Sequence, residues 1–476
     1  MEVHSLKKII SLIIAVVFLM MSLAACSKND SGSTDNTDSP SSNPSNYLEN
    51  RDFEGYTFTF LGSNVENGIS YDDPDEDYSS IHDQAVIQLN SEIMERFNIK
   101  IEDLILDRPS ISEFVLTDSM SPTSSYDMGK PHGVENLSDI ITQDVAFDIK
   151  ALPTVDLSQP WYNQQANNEY SVMGKQYLAA AMFPGLPTSP PLLFNINMID
   201  QANLDLPYDM ILNGTWTIEE MFKYMSAGYS ADSNGDGTQD FNDKYAFVGL
   251  TQSIAYFYQG FGGVTTSRDN NGAVTPILSN DTVEALYSKC MELLDHSGTY
   301  IGNLGNDDPA SGHRMFYEGR GMFCYYITVA LSWTDIESFD YGLGILPKYN
   351  LSQEKYCCPA GGSFVMFPVN LDDEEITGYL FEAFNEAAYR TTYPAVIQES
   401  VDFQWLRDEE SIEVQKLVDQ SLTFDILKNC DPTGGGMASC AFILQCLQSE
   451  IPPSILSQGY EDVYEQMFHD FFYSKK

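Results

Sequence analysis

The chain has 476 residues, with 24 Lys+Arg against 69 Asp+Glu and a formal net charge of −45. That balance repels phosphate backbones and excludes a nucleic-acid binder, while an apolar share of 43% excludes a disordered acidic chain. The length suits two or three domains or one large bilobed unit, and the acidic, Tyr-rich surface suits neutral or cationic partners.

Lys7 and Lys8 open a basic stretch, and the apolar run from Ile9 to Leu23 is shorter than the ~20 residues of a spanning helix. It ends in Leu23-Ala24-Ala25-Cys26, which resembles the bacterial lipobox: small residues before the cut, and a thiol after it to carry diacylglycerol. An ordinary secretory signal containing a Cys is the alternative. Residues 1–25 are expected to form a lipoprotein signal peptide, and 26–50 the lipidated Cys26 with a flexible linker. Ser27 to Asn46 contains no large apolar residue; a coil of that length reaches roughly 25 Å. Removing Glu2, Lys7 and Lys8 leaves 22 basic and 68 acidic residues, a net charge of −46.

Tyr56-Thr-Phe-Thr-Phe60 alternates as a half-buried strand closing at Gly62. Residues 82–97 place Val86, Leu89, Ile93 and Phe97 on one helical face, and Ile99-Lys-Ile101 returns to alternation. This strand–helix–strand opening has a crossover length suited to parallel pairing. Ser138 to Thr142 reads as a short strand, followed by a helix toward Leu152. Gln176 to Ala179 and Leu192 to Ile196 read as further strands. Thr217-Ile-Glu-Glu220 is a capping box ahead of a helix containing Met221, Phe222 and Met225, and Asp281-Thr-Val-Glu284 is a second, ahead of a helix through Leu294. Strands are expected at 245–249, 341–345 and 363–367, and helices at 373–390, 409–420 and 460–473. The alternation argues an α/β fold, with breaks near 196–200 and 360–370.

Asp232-Ser-Asn234-Gly-Asp236-Gly237-Thr238-Gln-Asp240-Phe-Asn-Asp243 fits the twelve positions of an EF-hand loop, with Asp243 where a bidentate Glu is usual. The expected ligands of a structural Ca²⁺ are Asp232, Asn234, Asp236, Thr238 through its carbonyl, Asp240 and Asp243. An Asx-rich turn without metal is the alternative.

Seven cysteines follow the anchor: Cys290, Cys324, Cys357, Cys358, Cys430, Cys440 and Cys446. The odd count and the absence of CxxC favour buried thiols, with a Cys430–Cys440 or Cys440–Cys446 bridge as the alternative. His4, His82, His132, His296, His313 and His469 are scattered, and HExxH, GxSxG, a P-loop and GxGxxG after a strand are all missing. No enzyme activity is expected, although a hydrolase with carboxylates distant in sequence is not removed by these motifs.

Several segments in order carry a resemblance. They are the lipobox and linker, Phe53 to Phe60, Glu92 to Lys100, Asp156 to Trp161, Gly174 to Tyr177, and Phe194-Asn195. Leu206-Pro-Tyr208, Gly214-Thr-Trp216-Thr217, the calcium-type loop, Phe316 to Arg320, Gly344 to Tyr349 and Arg407 to Ser411 continue it. Together they resemble the extracellular solute-binding lipoproteins of ABC importers, more narrowly the maltose-binding-like family 1 of Gram-positive bacteria. Tyr162 stands where relatives often have a second Trp, and Phe194 where a Tyr precedes Asn.

The resemblance implies a bilobed, type II periplasmic-binding-protein-like fold, with two α/β lobes joined by hinge strands. Lobe one is expected from 51–195 plus 365–405, and lobe two from 198–362 plus 406–476. It implies a monomer on the outer face of the cell membrane, delivering a carbohydrate to ABC permease subunits. A peptide or other polar solute, or service to a sensor kinase, is the alternative. Carried over by position, the cleft residues are Ser63, Asn64, Gln143, Asp144, Phe183 and Thr188 in lobe one. In lobe two and at the crossing they are Gln252, Tyr256, Tyr325, Tyr326, Gly362, Ser363, Phe424 and Asp425. Aromatic faces cover the C–H side of a pyranose, while amides and carboxylates take its hydroxyls. Trp161, Trp216, Trp333 and Trp405 are expected to pack in cores.

Overall fold

A computed structural model describes residues 47–64, 68–71, 78–130, 143–172, 174–185, 188–230, 232–270, 272, 274–302, 310–325, 338–360, 364–395, 408–426 and 441–460, with 462, 466 and 469. Cys26, Tyr326, Gly362, Ser363, Trp333, Trp405, Cys430, Cys440 and the 138–142 strand lie outside the described residues, as does nearly all of the 460–473 helix.

The alternation at Tyr56 produces strand β1 (Tyr56–Ser63), with Phe58 and Phe60 buried beneath it. The helix Ile81–Phe97 follows; Ser80 caps it by accepting the Asp83 N–H at 3.0 Å, and it stops at Asn98 in the left-handed region. Its Val86, Leu89, Ile93 and Phe97 face the core, and β2 (Ile99–Leu106) then pairs with β1 in parallel, Tyr56 opposite Ile99 through to Ser63 opposite Leu106. The short β3 (Met128–Gly129) joins β1 on its other side, also in parallel. Val365 and Met366 lie antiparallel between Ala179 and Gly129, which widens this first sheet. Toward Leu152 the chain forms only a 3₁₀ turn, Ile149–Ala151, in place of the expected helix. Just before it, the Val145 carbonyl and the Phe147 amide are taken by Val369 and Phe367. The hairpin β4 (Ser171–Val172) and β5 (Lys175–Gln176) stands beside it.

A second sheet holds β6 (Leu192–Asn195), β7 (Tyr245–Gly249), β10 (Thr299–Ile301), β11 (Gly321–Tyr325) and β12 (Tyr341–Gly344) in the order β10-β7-β11-β6-β12. β6 runs antiparallel to both neighbours, and the β10–β7 and β7–β11 pairs are parallel. The helix Ile218–Gly228 packs Met221, Phe222 and Met225 inward from its Thr217 cap, and Trp216 is buried with its indole N–H on the Ile345 carbonyl at 3.0 Å. The hairpin β8 (Thr266–Arg268) and β9 (Val274–Pro276) projects from this side. The helix Asp281–Leu294 is capped by Asn280 and not, as expected, by Asp281: the Asn280 side chain accepts the Val283 N–H at 2.9 Å, three residues on. β13 (Cys358–Pro359) and β14 (Leu422–Thr423) form a small parallel pair, and the helix Glu409–Gln420 covers β12.

The first core gathers Phe58, Phe60, Leu89, Trp161, Phe183, Phe367 and Phe384; the larger second core surrounds Trp216, Phe247, Phe257 and Phe323. The helix Glu374–Arg390 returns to the first core, and membership of the cores alternates along the chain: Phe183 lies in the first and Leu192 in the second, Ala360 in the second and Val365 in the first, Ala388 in the first and Val414 in the second. Cys290, Cys324, Cys357, Cys358 and Cys446 are free, which removes the Cys440–Cys446 bridge, and burial pushes the Cys324 thiol up to about 12. No helix among the described residues is long and apolar enough to cross a membrane.

Candidate functional site

Parallel strands leave loops at their carboxyl ends, where ligands settle in open α/β sheets. β1 ends at Ser63, fully buried, with a hydroxyl that makes no hydrogen bond among the described residues. Asn64 ties the turns after β1 and β2 together: its Nδ2 donates to Asp107 Oδ1 at 2.9 Å and its Oδ1 accepts the Arg108 N–H at 3.2 Å. Gln143 and Asp144 stand exposed ahead of Val145, Asp144 at a φ of 63°, and Thr188 is exposed ahead of β6. Phe183 differs. It stacks on Phe384 with centroids 4.5 Å apart, is 3% exposed, and donates its N–H to Asn385 Oδ1 at 2.9 Å. The ring is buried in the first core.

In the second sheet, β7 ends at Gly249 and the helix Thr251–Gly260 begins at once, bringing in half-buried Gln252. Ser253 Oγ accepts the Leu250 N–H at 3.2 Å and donates to the Tyr325 carbonyl at 2.9 Å, so it fixes this helix to the end of β11. The Tyr256 and Tyr325 rings lie 5.5 Å apart, both buried, and burial drives the Tyr325 phenol far above its ordinary range. Phe424 is half-buried after β14. Asp425 is buried beside it, where its Oδ2 accepts the Gln259 amide at 3.2 Å.

The structure joins these two sets through one contiguous apolar cluster. Leu61, Ile111, Tyr126 and Val145 from the first sheet's side run into Tyr256 and Tyr325 of the second. Four polar residues at the same boundary were not anticipated: Glu169, Tyr170, Gln259 and Arg268. Tyr170 donates its hydroxyl to the Asp425 carbonyl at 3.0 Å, and Arg268 donates to the Ser171 carbonyl at 2.6 Å. Partners separated by 255 and 97 positions carry no local signal.

The 232–243 loop is wound by its own side chains. Asp232 Oδ2 accepts the Gly237 N–H at 3.0 Å, Asn234 Oδ1 that of Asp236 at 2.9 Å, and Asp236 Oδ1 that of Thr238 at 2.8 Å. Asp240 Oδ1 takes Asn242 N–H at 2.8 Å. Asp243 is buried, one oxygen accepting from Ser233 N at 2.7 Å and the other from Asp240 N at 2.9 Å. The Asp240 amide first, with those of Asn234 and Ser233, holds its carboxyl below the ordinary range. Among the described residues no three His, Cys, Asp or Glu side chains converge on a common point. As placed, the loop is wound by Asx turns.

No protein-family profile and no curated protein matches the chain. Solved structures do match along nearly its whole length. The ABC substrate-binding protein from Listeria monocytogenes in complex with cycloalternan aligns at a TM-score of 0.51 and 14% identity, over 87% of this chain and 99% of that one. A cyclo/maltodextrin-binding protein complexed with maltotetraose aligns at 0.56 and 12%, over 89% and 100%. UgpB from Mycobacterium tuberculosis, in complex with glycerophosphocholine, aligns at 0.56 and 14%, over 87% and 98%. The chain therefore has the bilobed α/β fold of the maltose-binding-type ABC solute-binding proteins.

Proposed function

We propose that the chain is the substrate-binding protein of an ABC importer that captures a carbohydrate between its lobes. The observation that carries this reading is the end-to-end likeness to binding proteins solved with cycloalternan and maltotetraose. The ligand would lie against Ser63, Asn64, Gln143, Asp144 and Thr188 on one side. Gln252, Tyr256, Tyr325, Phe424 and Asp425 would face it from the other, with Tyr326, Gly362 and Ser363 completing the boundary. The unpartnered Ser63 hydroxyl and the tyrosine pair supply the polar and apolar halves of a sugar contact. Cys26 would tether the protein outside the membrane by its lipid, delivering ligand to the permease. A net charge of −45 favours a neutral sugar over an anionic one.

The test is a thermal-shift and tryptophan-fluorescence titration against a glycan panel that includes maltotetraose. A saturable shift without turnover is expected, and release of shortened glycan would replace the binder by a hydrolase. A shift with glycerophosphocholine alone would move the ligand class to polar solutes, the reading that the UgpB likeness favours. Replacing Cys26 with serine is expected to free the protein from membranes; persistent attachment would remove the lipobox.

A further inference from the structure

Beside Phe364, side chains of the two lobes engage one another directly. The helix Gln164–Glu169 is tied to the first sheet by its backbone, Asn163 donating its N–H to the Ala180 carbonyl beside Ala179, which lies opposite Val365, while Ala166 and Tyr170 pack toward the larger core; its last carbonyls lack partners within the helix. Arg268, at the end of β8 in the second lobe, donates its guanidinium to the Glu169 and Ser171 carbonyls, and stands 3.6 Å from the Glu169 carboxylate. A planar cation at a helix C-terminus is well placed on both charge and geometry. Next to it, Tyr170 is buried with its ring 4.3 Å from that of Phe364, and its hydroxyl reaches the Asp425 carbonyl. Asp425 is held from its own side by Gln259. Each half is anchored in its own lobe. Arg268 is fixed by the β8–β9 register opposite Val274, and Tyr170 by its N–H on the Ala166 carbonyl at 2.9 Å.

We propose that Arg268 and Tyr170 form an interlobe latch that sets the balance between the lobe arrangement seen here and one with the lobes swung apart. Hinge motion is absorbed by a few residues where the chain crosses. A contact that joins the lobes through side chains must part when they rotate. The latch adds its free energy to the joined arrangement, and any ligand gripped between the lobes inherits that bias. This inference rests on the two-lobe fold and not on the identity of the ligand.

The test uses the full chain without ligand, by hydrogen exchange and small-angle scattering. Because the lost hydrogen bonds are charged, Arg268→Ala is expected to speed exchange at 169–172 and 424–426 by about tenfold or more. The scattering radius should rise, while β1, β2, β7 and β11 keep their protection. Tyr170→Phe, which removes one hydroxyl, is expected to give a smaller increase in the same segments. Unchanged exchange and radius in Arg268→Ala would overturn the latch. So would loosening of both sheets together, because Arg268 would then be a general stabiliser. Should Arg268→Ala fail to fold, Tyr170→Phe decides by the same readouts, and no local change there overturns the proposal. Because no ligand is present, a failure of the sugar assignment leaves these outcomes standing.

Discussion

Trp161 donates its indole N–H to Glu382 Oε1 at 3.0 Å across 221 positions of chain, and Tyr162 gives its hydroxyl to the other oxygen at 2.6 Å. The carboxylate is fully buried and pins the 156–162 loop to the helix Glu374–Arg390. Truncation to alanine leaves two buried donors without an acceptor, at about 1–3 kcal/mol each. Glu382→Ala is expected to lower the urea midpoint sharply. Glu382→Gln, which sets an NH2 donor against one of the two donors, is expected to fall between Glu382→Ala and wild type. Equal midpoints for Glu382→Ala and wild type would show that water replaces the carboxylate.

Stability is expected to increase as the solution is acidified from pH 8 to 5.5. Burial pushes Glu382 up to about 7 and Asp127 up to about 6, although Tyr56, the Thr59 amide and Thr377 all donate to Asp127. Both folded values lie above the unfolded ones near about 4. The folded state therefore binds these protons more tightly. Their stabilisation is complete below the unfolded pKa and is lost as pH rises through about 6 and about 7. Carboxyls held low by donors, such as Asp156, lose their contribution only in stronger acid. Glu169, which burial also raises to about 7, adds to this rise, and His313, which burial lowers to about 4, opposes it; the melting temperature should rise by at least about 2 °C over this window, and an Asp127→Asn, Glu382→Gln double variant should reduce the slope. A double variant with the same slope as the wild type would show that these carboxyls ionise freely in the fold.

Local periodicity carried the opening of the chain. Val86, Leu89, Ile93 and Phe97 face the core as their spacing requires, and β1 and β2 pair in parallel over eight positions. The strand at Tyr245 and the helix Glu409–Gln420 also fall where pattern and caps place them. The antiparallel setting of β6 was not legible, because strand direction depends on where the chain enters the sheet. Phe183 has the composition of a cleft aromatic, yet only the facing Phe384 decides that it packs. The contacts of Arg268 with 169–171 are likewise created by tertiary placement, and nothing within ten residues of Arg268 signals them.

Calcium binding by the 232–243 loop is a proposal separate from the fold. A bound cation would require Asp232, Asn234, Asp236 and Asp240 to turn oxygens from loop amides toward it, with Thr238 offering its carbonyl. Ca²⁺ is then expected to raise the melting temperature of EDTA-treated protein, and Asp236→Ala to abolish that rise. Asp243→Ala should lower the melting temperature even in EDTA, because its two oxygens already hold the Ser233 and Asp240 amides. No response to Ca²⁺, with Asp243→Ala still destabilised, would leave the loop as a metal-free turn.

Gly378 separates helix propensity from packing. It lies inside the helix Glu374–Arg390, where alanine is favoured over glycine by about 1 kcal/mol. A Cβ there would stand 2.3 Å from the Pro153 carbonyl oxygen and 3.3 Å from Leu152 Cβ. The obstacle is backbone, so it cannot be relieved by rotating a side chain, and overpacking of this type costs about 1–3 kcal/mol. Gly378→Ala is expected to lower the denaturation midpoint, against its propensity. Gly459→Ala, whose Cβ would meet nothing within 4 Å, provides the control and should leave the midpoint nearly unchanged. A stabilised Gly378→Ala would mean that the 153–156 segment moves away without cost. Glu382, which reaches the Asp156 N–H at 3.4 Å, would then hold that segment less firmly than its hydrogen bonds imply.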